Sequence, residues 1–310
     1  MPGKKADAIK ILTALADYRL MSAAQLAIYF EINKEAIWKH FRKLCSASLI
    51  KEFHTETGRS RGRPESMYSL TDRGIEVLRK KEILNLDKNN KFVLAENLEF
   101  IQHQILQNWF RLHLVYANRK NTVFFENIPT NSSLYWEGNN YTNLYYRYES
   151  ITSTSDGKEI RFLPDVIFRC YDKMSGRILL FFVEIDRGTE SLMNPDRKHQ
   201  GDIAGKIINY LYCWNSNSYK KYEQVWNCKF NGFRLLFVTN STERCANLCR
   251  LVSDLGSSSN FAWITEVGAL FNSGVGGHIW NPGGRRGESL ESILGKLAFD
   301  CPIPEIKYQA

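Results

Sequence analysis

No part of the chain restricts its fold more than residues 161–191, RFLPDVIFRCYDKMSGRILLFFVEIDRGTES. Two apolar runs flank a tight turn at Asp172-Lys173-Met174-Ser175-Gly176, which predicts a pair of strands joined as a hairpin. The first strand carries Pro164-Asp165 and the second ends in Glu184-Ile185-Asp186. Strand side chains alternate, so Glu184 and Asp186 share a face. If the hairpin brings them near Asp165, three carboxylates meet at one end of a sheet. Such a trio is costly in a dry site unless a cation neutralises it. A hard divalent ion, Mg²⁺ or Mn²⁺, is the natural occupant. An ion of that kind activates a nucleophile and stabilises a phosphoryl transition state.

The surrounding pattern places this hairpin in a larger α/β unit, expected over 95–310. Residues 95–120 predict a long amphipathic helix with one apolar stripe at 98, 101, 105, 109, 112 and 115/116. VFFENI (123–128) reads as a buried strand. Residues 130–158 are rich in Asn, Tyr, Ser and Thr and read as an irregular excursion, with a hairpin around Tyr145-Tyr146. Tyr135, Tyr141, Tyr145, Tyr146 and Tyr148 either line a groove or pack that loop on the core. A helix over 195–214 puts Ile203, Ile207, Leu211 and Trp214 inward. Strands follow at 234–240 and 261–267, separated by a helix over 241–255 capped by Ser241 or Thr242. The order implies an α/β sandwich around a mixed sheet.

Ahead of it, residues 1–84 form a second pattern, joined through a polar linker at 85–94. A helix with Ile9, Leu12, Leu15 and Ala16 on one face precedes Ser22, a good N-cap for AAQLAIYF. A short turn then leads to Asn33, which caps KEAIWKHFRKLCSASLI. That second helix buries Ile37, Phe41 and Leu44 and turns Lys34, Trp38, Lys39, Arg42 and Lys43 outward. A short helix, a tight turn and a basic helix make a helix-turn-helix. Strands at 49–53 and 67–70 flank the loop Gly58-Arg59-Ser60-Arg61-Gly62-Arg63-Pro64, a wing. Three arginines at a hairpin tip repel one another unless something anionic meets them, so Arg59, Arg61 and Arg63 are candidates for phosphate or minor-groove contact. The expected partner is double-stranded DNA. Charge distribution agrees: residues 1–90 hold 17 Lys+Arg against 11 Asp+Glu, the remaining 220 hold 24 against 22, and the chain carries +8 in all.

No stretch of about 18 apolar residues occurs, so no membrane span is expected. The basic N-terminus lacks the apolar segment of a signal peptide. Seven scattered cysteines read as reduced thiols, and the expected location is cytoplasmic.

Combined, the strand order, Pro164-Asp165, Glu184-x-Asp186 and the N-terminal winged helix resemble a known group. The chain is similar to the plasmid replication-relaxation family and to relaxases built on a restriction-endonuclease-like, PD-(D/E)xK fold. ILTALADYRLMSAAQLA, HQILQNW (103–109), LPDVIF (163–168), FFVEIDRGTES (181–191), Lys206 and Tyr210 carry the likeness. The resemblance implies that Asp165 and Glu184 hold the metal, joined by Asp186. The family's third motif position is usually lysine; here it is Asp186, and Lys206 from the following helix is the preferred substitute. His103 and Asn108 match the family's first helix and are expected to approach the site. Glu190 and Asp196 read as supporting or surface groups. The implied activity is metal-dependent nicking or relaxation of DNA, by water or by a tyrosine. The alternatives are a non-catalytic DNA-binding regulator with a degenerate nuclease fold, and a winged-helix sensor with a ligand-binding C-terminal domain. A homodimer matching a palindromic site is a further expectation.

Overall fold

The computed structural model describes residues 6–54, 66–84, 98–119, 123–127, 149–152, 159–162, 164–193, 202–286 and 289–304. The wing arginines Arg59, Arg61 and Arg63, the linker and the tyrosines of 130–148 lie outside the described residues. By mutual contact the described chain divides into two units, 6–112 and 113–304.

In the first unit, α1 (Ala8–Tyr18) leads through β1 (Leu20–Ser22) into α2 (Ala23–Phe30) and α3 (Lys34–Ser46). Strands β2 (Ile50–His54) and β3 (Ser66–Leu70) follow, then α4 (Asp72–Lys80). Each helix starts on a side-chain cap. Asp7, Ser22, Asn33 and Thr71 accept from the backbone N–H groups of Lys10, Gln25, Ala36 and Gly74. Ser22 and Gln25 form a reciprocal capping box. The three strands pair antiparallel in the order β1-β3-β2, with Leu20 opposite Ser69 and Ile50 opposite Leu70. β1 is too short to leave a period-2 signal. Leu12, Leu15, Leu26, Ile37, Phe41, Leu44, Ile75 and Leu78 form the buried centre. Gly74 allows α4 to press onto the preceding loop: a Cβ there would lie 2.2 Å from the Leu49 carbonyl oxygen. The arrangement is compatible with a winged helix-turn-helix.

The long helix α5 (Leu98–Asn118), expected to open the second unit, instead gives residues 98–112 to the first. It does so through polar side chains. The Asn108 amide donates to the carbonyls of Tyr18 (3.1 Å) and Leu20 (2.6 Å) and accepts from Gln104 (3.0 Å). Arg111 donates to the Asp17 carbonyl at 2.9 Å, pairs with its carboxylate at 2.9 Å and lies 3.9 Å from the Tyr18 ring centre. Residues 107–114 are all buried, so the single apolar stripe is a correction: a count of apolar positions is blind to polar groups satisfied by backbone carbonyls.

The second unit is built on a six-stranded mixed sheet. After β4 (Val123–Asn127) come β5 (Glu149–Thr152) and β6 (Glu159–Phe162), which pair only with each other among the described residues. Then follow β7 (Val166–Asp172), β8 (Ile178–Asp186), α6 (Ile203–Asn215), α7 (Tyr222–Trp226), β9 (Phe233–Thr239), α8 (Thr242–Asp254), β10 (Ala262–Glu266), α9 (Val267–Ser273) and β11 (Asn281–Pro282). Their order across the sheet is β11-β10-β9-β8-β7-β4. β4 pairs with β7 and β7 with β8 antiparallel, β8, β9 and β10 pair parallel with α6 and α8 in the crossovers, and β11 pairs antiparallel with β10. The expected α/β fold around a mixed sheet is thus formed.

The β7–β8 turn closes through Asp172, whose carboxylate accepts from the Met174 N–H (2.9 Å) and from the Ser175 hydroxyl, and through Gly176 at φ 68°. From Leu180 to Asp186 every residue of β8 is buried, as suits a strand with neighbours on both edges and cover on both faces. Phe168 and Phe181 stack at 4.8 Å beside it. Of the helix expected over 195–214, residues 195–201 lie outside the described residues; α6 is capped by Asp202, whose carboxylate accepts from the Gly205 N–H at 2.7 Å. Its inward residues are Ile203, Ala204, Ile207, Tyr210 and Cys213. Tyr210 replaces the expected Leu211 because Tyr210 lies nearly two whole turns from Ile203, whereas Leu211 has rotated past that face.

Candidate functional site

The register of the hairpin builds the acidic site. Val166 pairs with Val183, and the Asp165 N–H donates to the Val183 carbonyl at 2.9 Å, which sets Asp165 opposite Glu184. The Asp165 carboxylate accepts from the Ile185 N–H at 2.7 Å. Glu184 is nearly inaccessible and faces α6. One of its oxygens accepts from the Tyr210 hydroxyl at 2.6 Å; the other is 3.4 Å from the Lys206 ammonium. Lys206, 28% exposed, also contacts the Glu190 carboxylate at 2.8 Å. Two carboxylates meet at adjacent strand ends, a third comes from the following loop, and one lysine lies between Glu184 and Glu190.

Electrostatics follow from this packing. Burial pushes the Glu184 carboxyl up to about 7, and the neighbouring Asp165 and Glu190 charges add to the rise, against the lowering effect of Lys206 and Tyr210. Burial disfavours the Lys206 ammonium, yet Glu184 and Glu190 together raise its pKa. The site therefore holds positive charge strongly and resists full ionisation of its acids without it.

Asp186 shares the Glu184 face, as strand alternation requires, but its surroundings differ. The Arg244 guanidinium clasps it, Nε to Oδ2 at 2.6 Å and Nη2 to Oδ1 at 3.1 Å, and Oδ1 also accepts from the Gly188 N–H at 2.9 Å. Where Asp186 is expected to join Asp165 and Glu184 around an ion, both its oxygens accept from the half-buried Arg244 guanidinium, and Oδ1 accepts also from the exposed Gly188 N–H. Among the described residues no three His, Cys, Asp or Glu side chains are grouped to hold one ion. Asp165 and Glu184 remain as neighbouring carboxylates at the strand ends, and the Lys206 ammonium supplies positive charge beside Glu184.

The remaining candidates distribute as follows. His103 is half-buried on the part of α5 that packs with the first unit, and the neighbouring Asn108 serves as a backbone anchor there. On α3, Lys34, Lys39, Arg42 and Lys43 are exposed. Lys39, Arg42 and Lys43 lie opposite the buried Ile37, Phe41 and Leu44. Trp38, expected on that basic face, turns its ring edge-on to Phe41 (5.9 Å) and Tyr68 (5.8 Å) and is half-buried, because it lies a quarter-turn from each face.

Of the other contributors, Tyr210 enters the sequence reading only through the resemblance, although its helical phase with Lys206, one turn earlier, points to the same side. Glu190 enters only as a supporting or surface group, since it carries no spacing signal toward Lys206. Arg244 is separated from Asp186 by 58 residues and announces itself by nothing local.

No helix among the described residues is long and apolar enough to cross a membrane. No curated protein and no solved structure matches the chain. A family model described as replication-relaxation matches residues 12–227, more than two-thirds of the sequence, from α1 through β8 and α6 to the end of α7. The chain belongs to the replication-relaxation family.

Proposed function

We propose that this protein acts on plasmid or mobile-element DNA, bound through α3 and the arginine wing, and nicks it at the Asp165–Glu184 site with a divalent ion. The observation that carries the reading is the convergence of Asp165, Glu184 and Lys206. Two carboxylates at the ends of paired strands and a lysine from the next helix supply the parts of a PD-(D/E)xK centre, with the lysine displaced from its usual strand position. Asp165 and Glu184 would hold Mg²⁺ or Mn²⁺, which when bound activates the attacking oxygen and neutralises charge at phosphorus. The chain's own groups do the rest. Tyr210 fixes the Glu184 carboxylate in one orientation. Lys206, partly exposed beside it, donates to a phosphate oxygen. Tyr210 is excluded as a covalent nucleophile in this arrangement, since it is fully buried and its hydroxyl donates to Glu184.

One observation favours the second reading, a non-catalytic DNA-binding regulator. Asp186 replaces the usual lysine and is neutralised by Arg244, and Lys206 already offsets Glu184, so the site is balanced without an ion. A supercoiled plasmid carrying the cognate origin separates the two. With Mg²⁺ or Mn²⁺, wild-type protein is expected to produce open circles, and Asp165→Ala to lose at least a factor of about 10² in rate. DNA that is bound by the wild type yet never cut with either metal would overturn the nicking assignment and leave the regulator. A product that enters the gel only after protease digestion would identify a tyrosine rather than water as the attacking group.

A further inference from the structure

We propose that Arg244, beyond the stretch that defines the family, is a positioning residue that sets Lys206 through the loop carrying Glu190. The proposal deepens the site reading above and rests on it for its catalytic meaning, but its geometric content stands separately. The chain leaving β8 is tied down at Asp186, Arg187, Gly188 and Glu190. Its Asp186 carboxylate and its Glu190 carbonyl are both held by the Arg244 guanidinium, the latter at 2.7 Å. The Gly188 N–H turns back onto Asp186, at φ 75° that glycine alone adopts readily. The Arg187 carbonyl accepts from the Asn240 amide at 2.8 Å. Arg244 is itself fixed at the start of α8, where its N–H donates to the Ser241 cap at 3.1 Å.

The consequence falls on Glu190. With its backbone held by Arg244, its carboxylate is delivered to Lys206 at 2.8 Å, closer than Glu184 at 3.4 Å. Lys206 is thus held mainly by a residue that is not one of the strand carboxylates. A phosphate or an ion arriving at Asp165 and Glu184 would find the lysine retained by Glu190. The aspartate at the third motif position then has a role: it fastens the guanidinium that steers the lysine supplied from α6. A planar five-donor fork suits this task, because it spans a carboxylate and a carbonyl at once, which an ammonium cannot do.

Acylation of lysines in the full-length protein tests this without reference to activity. Wild type, Glu190→Gln and Arg244→Met are treated briefly with an amine-acylating reagent at fixed pH and read by peptide mass spectrometry, with exposed Lys39 as internal reference. Both variants are expected to raise the Lys206 rate relative to Lys39 by about tenfold, the scale of one lost charge-assisted hydrogen bond. Arg244→Lys should restore only part of the protection. A folded Arg244→Met protein, judged by circular dichroism, with the wild-type Lys206 rate overturns the proposal. If that variant does not fold, Arg244→Gln, which keeps a donor, is read by the same criterion. Where nicking is present, Arg244→Met combined with Lys206→Met should be no slower than Lys206→Met alone, because both act through one group; an additive loss counts against the proposal. Absence of nicking in the wild type would overturn the activity reading while leaving the acylation result to decide the role of Arg244.

Discussion

His113 is the residue whose burial is least compensated. It sits on α5 at the start of the second unit, fully enclosed and edge-on to the Phe271 ring at 5.1 Å. Among the described residues neither ring nitrogen has a hydrogen-bond partner. Burial lowers its pKa to about 3, so the folded chain keeps it neutral where an unfolded chain, with an ordinary value of about 6.5, takes up a proton. The unfolded state therefore binds the extra proton between about pH 6.5 and 3. Stability from this group is complete above about pH 6.5 and falls by roughly 1.4 kcal/mol per unit as the pH drops through that window. Denaturant titrations of wild type and His113→Leu at pH 7.5 and 4.5 should diverge by about 2–3 kcal/mol, the wild type losing more. Parallel losses would show that His113 is reached by solvent or paired. Nothing in the sequence around His113 distinguishes it from His103, ten residues earlier on the same helix, which is half-buried. Helical phase does not reveal which turn of a long helix is covered on all sides.

Among the elements, α3 was the most legible. Its cap, its buried face and its outward cations all follow from local spacing, because both faces are decided within one helix. Replacing Lys39, Arg42 and Lys43 together by Ala should weaken DNA binding and flatten the slope of log K against log salt by up to about 3, with little change in melting temperature. An unchanged slope would remove this face from the interface. The strand hairpin was equally legible, since a turn of Asp172 to Gly176 between two apolar runs leaves little choice of register. α5 was not, because its anchors Asn108 and Arg111 bind backbone carbonyls of α1 and β1 that no pattern on α5 encodes. The displaced lysine lay between these cases. Once Glu184 was placed on a strand end, the next helix was the natural source of a cation, and the structure brings Lys206 to it. Yet the same spacing gave no means to see that Asp186 would be taken by Arg244.

At the level of the whole molecule, the acidic site lies where the two halves of the sheet join. β8 meets β7 antiparallel on one edge and β9 parallel on the other. The first pairing spans a turn of a few residues, whereas β9 begins only at Phe233, after α6 and α7. Closing a short loop is fast, and parallel pairing waits for a long crossover to order. Folding should therefore bring Asp165 and Glu184 face to face before α8 arrives with Arg244. In pulse-labelled hydrogen exchange during refolding, the amides of Asp165 and Ile185, bonded across the hairpin, should gain protection ahead of the Asn240 amide, which bonds to the Asp186 carbonyl at 3.1 Å. Protection of Asn240 first, or of all three together, would contradict that order. The feature that makes the site compact, one strand shared by two kinds of pairing, thus also gives it a history: for an interval in every refolding event the acids stand together with their clamp still absent, and the chain must cross that electrostatic bottleneck before the sheet can close.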